Sequence, residues 1–178
     1  MCLTVEQFWA WLDEVPGDAR YELVKGQIVP HPDYFSFGGN GLAAADNEHA
    51  LIVMRIGGLL GAQIAPPCYV YGGAGTKVAD KDARIPDLAV SCADDPKGKA
   101  LIAPRLLVEV SSPSTAKVDT GLKVEEYGGI ASLEAYLFVD RKNRALVLYR
   151  PSLPPETYTE GRVPLFGDVA LTVADVFA

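Results

Sequence analysis

Apolar residues recur at helical spacing in two segments of the chain. In the first segment they occupy positions 5, 8, 11, 12 and 15, and the preceding order Thr4-Val5-Glu6-Gln7 matches a helix capping box. In the second segment, apolar positions 52, 53, 56, 59, 60 and 64 predict an amphipathic helix over 49–64. Between the two helices, the pattern predicts a hairpin over 21–29 and a Pro- and Gly-rich loop over 30–47.

The rest of the chain alternates between short apolar runs and turn residues, which is typical of strands. The run Leu106–Val110 is mostly apolar at successive positions, as a strand buried on both faces of a sheet requires. A helix is predicted after it, ending near Gly128 and Gly129. This order predicts one α/β domain over residues 1–178. The other predicted strands are Cys68–Tyr71, Thr76–Val78, Leu88–Ser91, Ala135–Val139 and Ala145–Tyr149, before a short edge element and a final turn at Val173–Phe177.

Composition narrows the class of protein. Of the 178 residues, 49% are hydrophobic and 22% are charged, which suits a packed core and excludes a disordered chain. The formal net charge of −7 argues against a basic surface that would bind nucleic acid tightly without a metal. The longest apolar stretch, 51–67, contains Arg55 and Gln63, so no membrane span is expected.

The cysteines bear on the cellular compartment. Cys2, Cys68 and Cys92 are odd in number and widely spaced, and they lack the spacing of zinc ligands. The N-terminal segment has no basic region of the kind that opens a signal peptide. Free thiols and a cytoplasmic location are therefore expected.

Three acids stand where apolar strand residues would be expected: Glu22, Asp87 and Glu109. A carboxylate in such a run needs a partner, because burying an unpaired charge is very costly. For Glu109, one interpretation is an ion pair with Arg84 or Arg105, or a carboxylate in water at the end of its strand. The other is a divalent-cation site, since Mg²⁺ commonly takes one or two carboxylates together with water and phosphate oxygens. Asp87, Glu109 and the backbone carbonyl of Val110 would supply its ligands, with Glu22 reaching the cation directly or through water.

Four blocks of sequence resemble the Uma-two family of the PD-(D/E)XK nuclease superfamily. They are Arg84-Ile85-Pro86-Asp87-Leu88; Leu107-Val108-Glu109-Val110-Ser111-Ser112-Pro113-Ser114-Thr115; Asp119 with Lys123 and Tyr127; and Glu134-Ala135-Tyr136-Leu137-Phe138-Val139-Asp140. The resemblance implies a restriction-endonuclease-like core, with a mixed β-sheet flanked by helices. It also implies hydrolysis of phosphodiester bonds with Mg²⁺ (or Mn²⁺), Asp87 and Glu109 as metal-binding acids and Glu22 as a further acid of the family.

One position departs from the superfamily pattern. A lysine usually stands two residues after the second acid, and here that position is Ser111. The resemblance implies that Lys123 replaces it from the following helix, where Asp119, Lys123 and Tyr127 share one face at a spacing of four. The alternative is an ordinary pair between Asp119 and Lys123 on a solvated face.

The remaining polar candidates carry weaker signals. His49 is expected to be a capping or core-edge histidine, with a general base or phosphate contact as the alternative. His31 is expected to be solvated, and Arg84 either contacts a phosphate or balances the acids. The glycines at 72, 73 and 75 predict a tight turn, because the lysine and helix of a phosphate-binding loop are missing.

The sequence thus predicts a metal-dependent endonuclease, with Glu22, Asp87, Glu109 and Lys123 as its catalytic residues. By resemblance, the nucleic acid is expected to be DNA. A homodimer is expected because cleaving two strands usually needs two active sites. Two alternatives stay open: a catalytically inactive nuclease fold that serves as a binding or regulatory module, and an enzyme acting on a small phosphorylated substrate.

Overall fold

The computed structural model describes residues 2–16, 20–31, 46–111 and 121–178. Four helices lie in these ranges: α1 (Val5–Glu14), α2 (Asn47–Gly61), α3 (Leu122–Gly128) and α4 (Val173–Val176). The strands are β1 (Tyr21–Val24), β2 (Gln27–Pro30), β3 (Tyr69–Gly72), β4 (Thr76–Ala79), β5 (Asp82–Arg84), β6 (Leu88–Ser91), β7 (Pro104–Val110), β8 (Ala135–Asp140), β9 (Ala145–Tyr149), β10 (Glu156–Tyr158), β11 (Arg162–Phe166) and β12 (Val169–Thr172).

The central sheet has six strands in the order β10-β9-β8-β7-β6-β3. Strands β7 and β8 run parallel and pair Val110 with Val139, whereas the other neighbours are antiparallel. The sheet is therefore mixed, as expected. Strand β7 lies in its interior and is buried at six of its seven positions, which agrees with its continuous apolar sequence.

Successive side chains of β7 point to opposite faces of the central sheet, so both faces are apolar. A helix covers each face. Val108 belongs to the core that includes Ile56 of α2, and Leu107 belongs to the core that includes Tyr127 of α3. This arrangement confirms the predicted sheet flanked by helices. No helix within the described part of the chain is long and apolar enough to cross a membrane.

A second sheet, in the order β2-β1-β5-β4, packs against α1 through Val5 and Phe8. The predicted capping box is present, since the Thr4 side chain accepts from the Gln7 amide and the Gln7 side chain accepts from the Thr4 amide. The β1–β2 hairpin turns at Gly26, whose φ of +75° is accessible to glycine. A Cβ atom there would also lie 2.3 Å from Cys2 Sγ.

Several element boundaries differ from the sequence prediction. Helix α2 begins at Asn47 and ends at Gly61, because Asp46 accepts a hydrogen bond from the His49 amide and thereby caps it. Strand β5 was not predicted, since Asp82–Arg84 carries two charges in three residues. The C-terminal segment forms three strands where one edge element was expected. Most of the predicted loop, 32–45, lies outside the described residues.

The prediction of three free thiols is wrong for two of them. Cys68 and Cys92 form a disulfide, and Cys2 is free and exposed. Cys68 precedes Tyr69, which pairs with Ser91, so the topology brings the two cysteines together at one end of β3 and β6. Spacing along the chain could not show this, because 24 residues separate them. The argument for a cytoplasmic location from free thiols is correspondingly lost.

Candidate active site

The two acids expected to bind a metal meet at one end of the central sheet. Leu88 pairs with Val108 in antiparallel strands, so Asp87 lies beside Glu109. The amide of Val110 donates a hydrogen bond of 2.7 Å to Asp87 Oδ2. The end of β7 thus fixes Asp87 directly against the Glu109–Val110 segment. Asp87, Glu109 and Val110 therefore lie together, as predicted.

Glu109 is buried and is held by two side chains of α3. Its Oε1 atom accepts hydrogen bonds from Lys123 Nζ at 2.8 Å and from the Tyr127 hydroxyl at 2.9 Å. Lys123 and Glu109 are 4% and 5% exposed, respectively. Burial, reinforced by the charge of Glu109, raises the pKa of Tyr127 well above its ordinary value. The tyrosine therefore remains a hydrogen-bond donor.

The alternatives for these residues can now be judged. Lys123 does not lie on a solvated face, because it is buried against Glu109. Asp119, its other predicted neighbour, lies outside the described residues. Arg105 pairs with Glu134 rather than with Glu109. The i,i+4 relation of Lys123 and Tyr127 thus directs both side chains to one carboxylate oxygen.

Glu22 lies in an adjoining buried network. Its Oε2 accepts from Arg84 Nη1 at 3.0 Å, and its Oε1 accepts from the Ile85 amide at 3.0 Å. Arg84 also donates two hydrogen bonds of 2.8 Å to Glu126 of α3. Burial alone would lower the pKa of Arg84, but Glu126 and Glu22 outweigh it, and the net pKa is raised. Of the two roles considered for Arg84, the structure shows that it balances the acids.

His49 contributes to the site more than its sequence context indicated. It is 5% exposed, and its Nε2 lies 3.2 Å from Asp87 Oδ2. An ionised Asp87 carboxylate would accept this hydrogen bond from Nε2. Its place in the first turn of α2 after Asp46 was the signal available in the sequence. His31, expected in solvent, is instead 9% exposed and lies 3.4 Å from the Ile85 carbonyl through Nε2.

Ser111, at the position where the superfamily pattern has lysine, binds Arg141 instead. Its hydroxyl accepts from the Arg141 amide at 3.0 Å, and its carbonyl accepts from Arg141 Nε. Arg141 follows β8, whose end lies beside the end of β7 because the two strands are parallel. The sequence prediction did not include Arg141, because it stands in the turn after β8 and does not interrupt an apolar run.

The donors at the sheet end fit a hard divalent cation with an open coordination sphere. Mg²⁺ usually binds through one or two carboxylates and retains water or phosphate ligands, and Asp87 with Glu109 meets this requirement. Within the described ranges, no group of three or more His, Cys, Asp or Glu side chains could hold a metal.

Comparison with known proteins places the chain in a family. A family model described as "Putative restriction endonuclease" matches residues 5–176. The chain belongs to the Uma2 (Uma-two) family. The match covers nearly the whole sequence, including every residue of the candidate site, and it confirms the resemblance found in the sequence blocks.

Two further proteins are similar to this Uma2 chain. An uncharacterized protein of Synechocystis sp. is 27% identical, over 83% of this chain and 73% of its own. A crystal structure from Anabaena variabilis, titled as a "putative nuclease belonging to DUF820", superposes with a TM-score of 0.75. That likeness covers 98% of this chain and 97% of the other, at 17% sequence identity, and it supports the nuclease fold.

Proposed function

We propose that the protein is an endonuclease that hydrolyses phosphodiester bonds in DNA with Mg²⁺ or Mn²⁺. Asp87, Glu109 and the Val110 carbonyl would hold the cation, and Lys123 would serve the reaction. The description of the Uma2 family supports the nuclease class. The observation that carries the proposal is the buried contact of Lys123 Nζ with Glu109 Oε1, beside an Asp87 fixed by the Val110 amide.

The buried amine explains how the site could act without a lysine on β7. Lys123 Nζ already lies 2.8 Å from a carboxylate that would bind the cation, so it would also lie near a phosphate bound there. Its positive charge would stabilise the negative charge that grows on the phosphate oxygens in the transition state. Tyr127 holds the same carboxylate oxygen and would keep Glu109 in place.

The other residues of the site have supporting roles in this proposal. The cation, when bound, would polarise the phosphate and lower the pKa of a coordinated water. Glu22 would orient α3 through Arg84 and Glu126, because both carboxylates bind the same guanidinium. This link positions the helix that carries Lys123. Glu22 would contribute to the metal site through this link or through water.

The acidic charge of the chain agrees with a substrate that binds mainly through the cation. With a formal net charge of −7, few phosphate contacts to basic side chains are expected, and binding without metal should be weak. Cleavage of both strands of a duplex would require two such sites. We therefore include a homodimer in the proposal.

Calorimetric titration with Mn²⁺ and cleavage of plasmid DNA test the proposal together. Asp87→Asn removes the charge of one ligand with almost no change in volume. Asp168→Asn makes the same chemical change in an exposed turn between β11 and β12 and serves as the matched control. We expect Asp87→Asn to lose Mn²⁺ binding and cleavage, and Asp168→Asn to retain both.

Two outcomes would contradict the proposal. A wild-type protein that binds no Mn²⁺ and leaves DNA and RNA intact would favour a nuclease fold serving as a binding or regulatory module. Full cleavage by Asp87→Asn would show that the metal site lies elsewhere.

A further inference from the structure

Arg141 joins two segments of the chain that flank Asp87. On one side, its Nε donates to the carbonyl of Ser111, the residue that follows Val110. On the other side, its two terminal nitrogens bind the two oxygens of Asp46, with Nη2 at 2.9 Å from Oδ2. The side chain of Arg141 is only 10% exposed. The Asp46 side chain is 50% exposed. Charge-assisted hydrogen bonds of this bidentate kind are roughly twice as strong as those between neutral groups.

Asp46 connects this contact to His49. Its Oδ1 accepts a hydrogen bond from the His49 amide at 2.9 Å, which fixes the first turn of α2. The hydrogen bonds from Arg141 and from the His49 amide lower the pKa of Asp46 to about 2. The cap therefore remains ionised at neutral pH. His49 in turn contacts Asp87 Oδ2 through its ring.

From this chain of contacts we infer that Arg141 is a positioning residue for the candidate metal site. It clamps Ser111 and the start of α2, so that His49 and the Val110 amide hold Asp87 Oδ2 from two sides. Among the described residues, the contacts of the Asp87 carboxylate use Oδ2. The clamp thereby leaves Oδ1 for a ligand. The cation-binding part of this inference rests on the function proposed above.

An isolated surface ion pair would be an alternative explanation of the Arg141 contacts. Such pairs contribute little, and many contribute nothing measurable. Arg141 differs because its guanidinium binds the backbone carbonyl of Ser111 and the helix-capping carboxylate of Asp46 at once. Ser111 is one residue from Val110, and Asp46 is three residues from His49; the Val110 amide and the His49 ring both contact Asp87. When residues that hold metal ligands in place without binding the metal are replaced, metal affinity or activity commonly falls by about 10–100-fold.

The histidine rings give a direct readout in the protein without metal. The chain has only two histidines, His31 and His49, so the ring signals can be assigned in nitrogen-15 spectra with a His31→Gln variant. We expect Arg141→Met to shift or broaden the His49 Nε2–H signal. Arg150→Met is the matched control, because Arg150 also binds one carboxylate, that of Glu156, and one backbone carbonyl, that of Pro164, at the opposite end of the sheet.

A second variant keeps the test decisive if Arg141→Met does not fold. Arg141→Lys retains the positive charge, but one ammonium cannot reproduce the fork that spans Ser111 and Asp46. We expect it to perturb the His49 signal and to raise the dissociation constant for Mn²⁺ about tenfold. An unchanged His49 signal in either folded variant would overturn the clamp.

The Mn²⁺ titration separates this inference from the proposed function. If the wild-type protein binds no Mn²⁺, the metal site proposed above is refuted, and the His49 signal still decides whether the clamp exists. If the wild-type protein binds Mn²⁺ and both Arg141 variants bind it equally well, the positioning role is refuted while the metal site stands.

Discussion

Replacing Lys123 by methionine tests the buried ion pair at the centre of the site. The change removes the ammonium and keeps most of the apolar stem. Glu109 would then remain buried without the ammonium of Lys123, while the Tyr127 hydroxyl still donates to its Oε1. Breaking a buried pair by removing one partner typically costs about 3–5 kcal/mol, because the other charge is left uncompensated.

The expected loss is large enough to measure by thermal unfolding. For a domain of this size, 1 kcal/mol corresponds to about 2–4 °C in the melting temperature. Lys123→Met should therefore lower the melting temperature by about 6–20 °C. The same charge loss at the surface should matter far less.

Lys77 provides the matched control. Its Nζ lies 2.8 Å from Glu6 Oε1, the same distance as in the Lys123–Glu109 pair, but the two side chains are 24% and 63% exposed. Lys77→Met should cost less than about 1 kcal/mol. The difference in melting temperature between the two variants would then show how much burial strengthens a lysine–glutamate pair at the same N–O distance. Equal melting temperatures for Lys123→Met and Lys77→Met would refute the reasoning.

Cleavage provides the second assay for Lys123→Met. At a temperature where all variants are folded, the rate should fall by about 10²–10³, the usual cost of losing one preorganised electrostatic contact in a transition state. Lys77→Met should cleave DNA at the wild-type rate. Wild-type cleavage by a folded Lys123→Met protein would remove Lys123 from the proposed reaction.

Three further predictions concern Asp46, the disulfide and DNA binding. Asp46→Ala should lower stability by about 1 kcal/mol in a denaturant titration, and Asp46→Asn should cost less, because asparagine also caps helices. The folded-state pKa of about 2 lies below the ordinary value of 3.8, so this stabilisation should be complete above pH 3.8 and disappear as the pH falls through 2. Cys68→Ala should cost about 3 kcal/mol relative to the oxidised protein, or about 6–12 °C in the melting temperature, given the 24-residue separation. DNA binding measured without a divalent cation should be weak, and the logarithm of its binding constant should fall by about 0.9 per phosphate contact for each tenfold increase in salt concentration.

The acids of the site could be predicted because Glu22 and Glu109 each interrupt an apolar strand and Asp87 directly precedes one. The apolar residues around Glu109 predict a buried strand, and Glu109 places a charge within it. Adjacent strands then bring Asp87 beside it. Lys123 could be predicted only through the resemblance, since a lysine on a short helix has many other uses. Its burial was not visible in the sequence.

The partners of the acids could not be predicted in the same way, because they depend on tertiary contacts between distant segments. Arg84 and Glu126 are separated by 42 residues, and Arg141 and Asp46 by 95. Neither pair belongs to one hydrophobic pattern or one helix face. The disulfide escaped prediction for a related reason: pairing of β3 with β6 sets the distance between its cysteines.

The position of Lys123 agrees with the proposal that it replaces the lysine usually found two residues after the second acid, where this chain has Ser111. Alternate residues of a strand face the same side, so a lysine at 111 and a carboxylate at 109 would share one face of the sheet. Helix α3 packs on that face through Tyr127, which lies in one core with Leu107. A lysine one turn before Tyr127 therefore reaches the same carboxylate from above the sheet. Ser111 instead accepts hydrogen bonds from Arg141 with its hydroxyl and its carbonyl. Because Arg141 also binds Asp46, it joins the end of β7 to the start of α2.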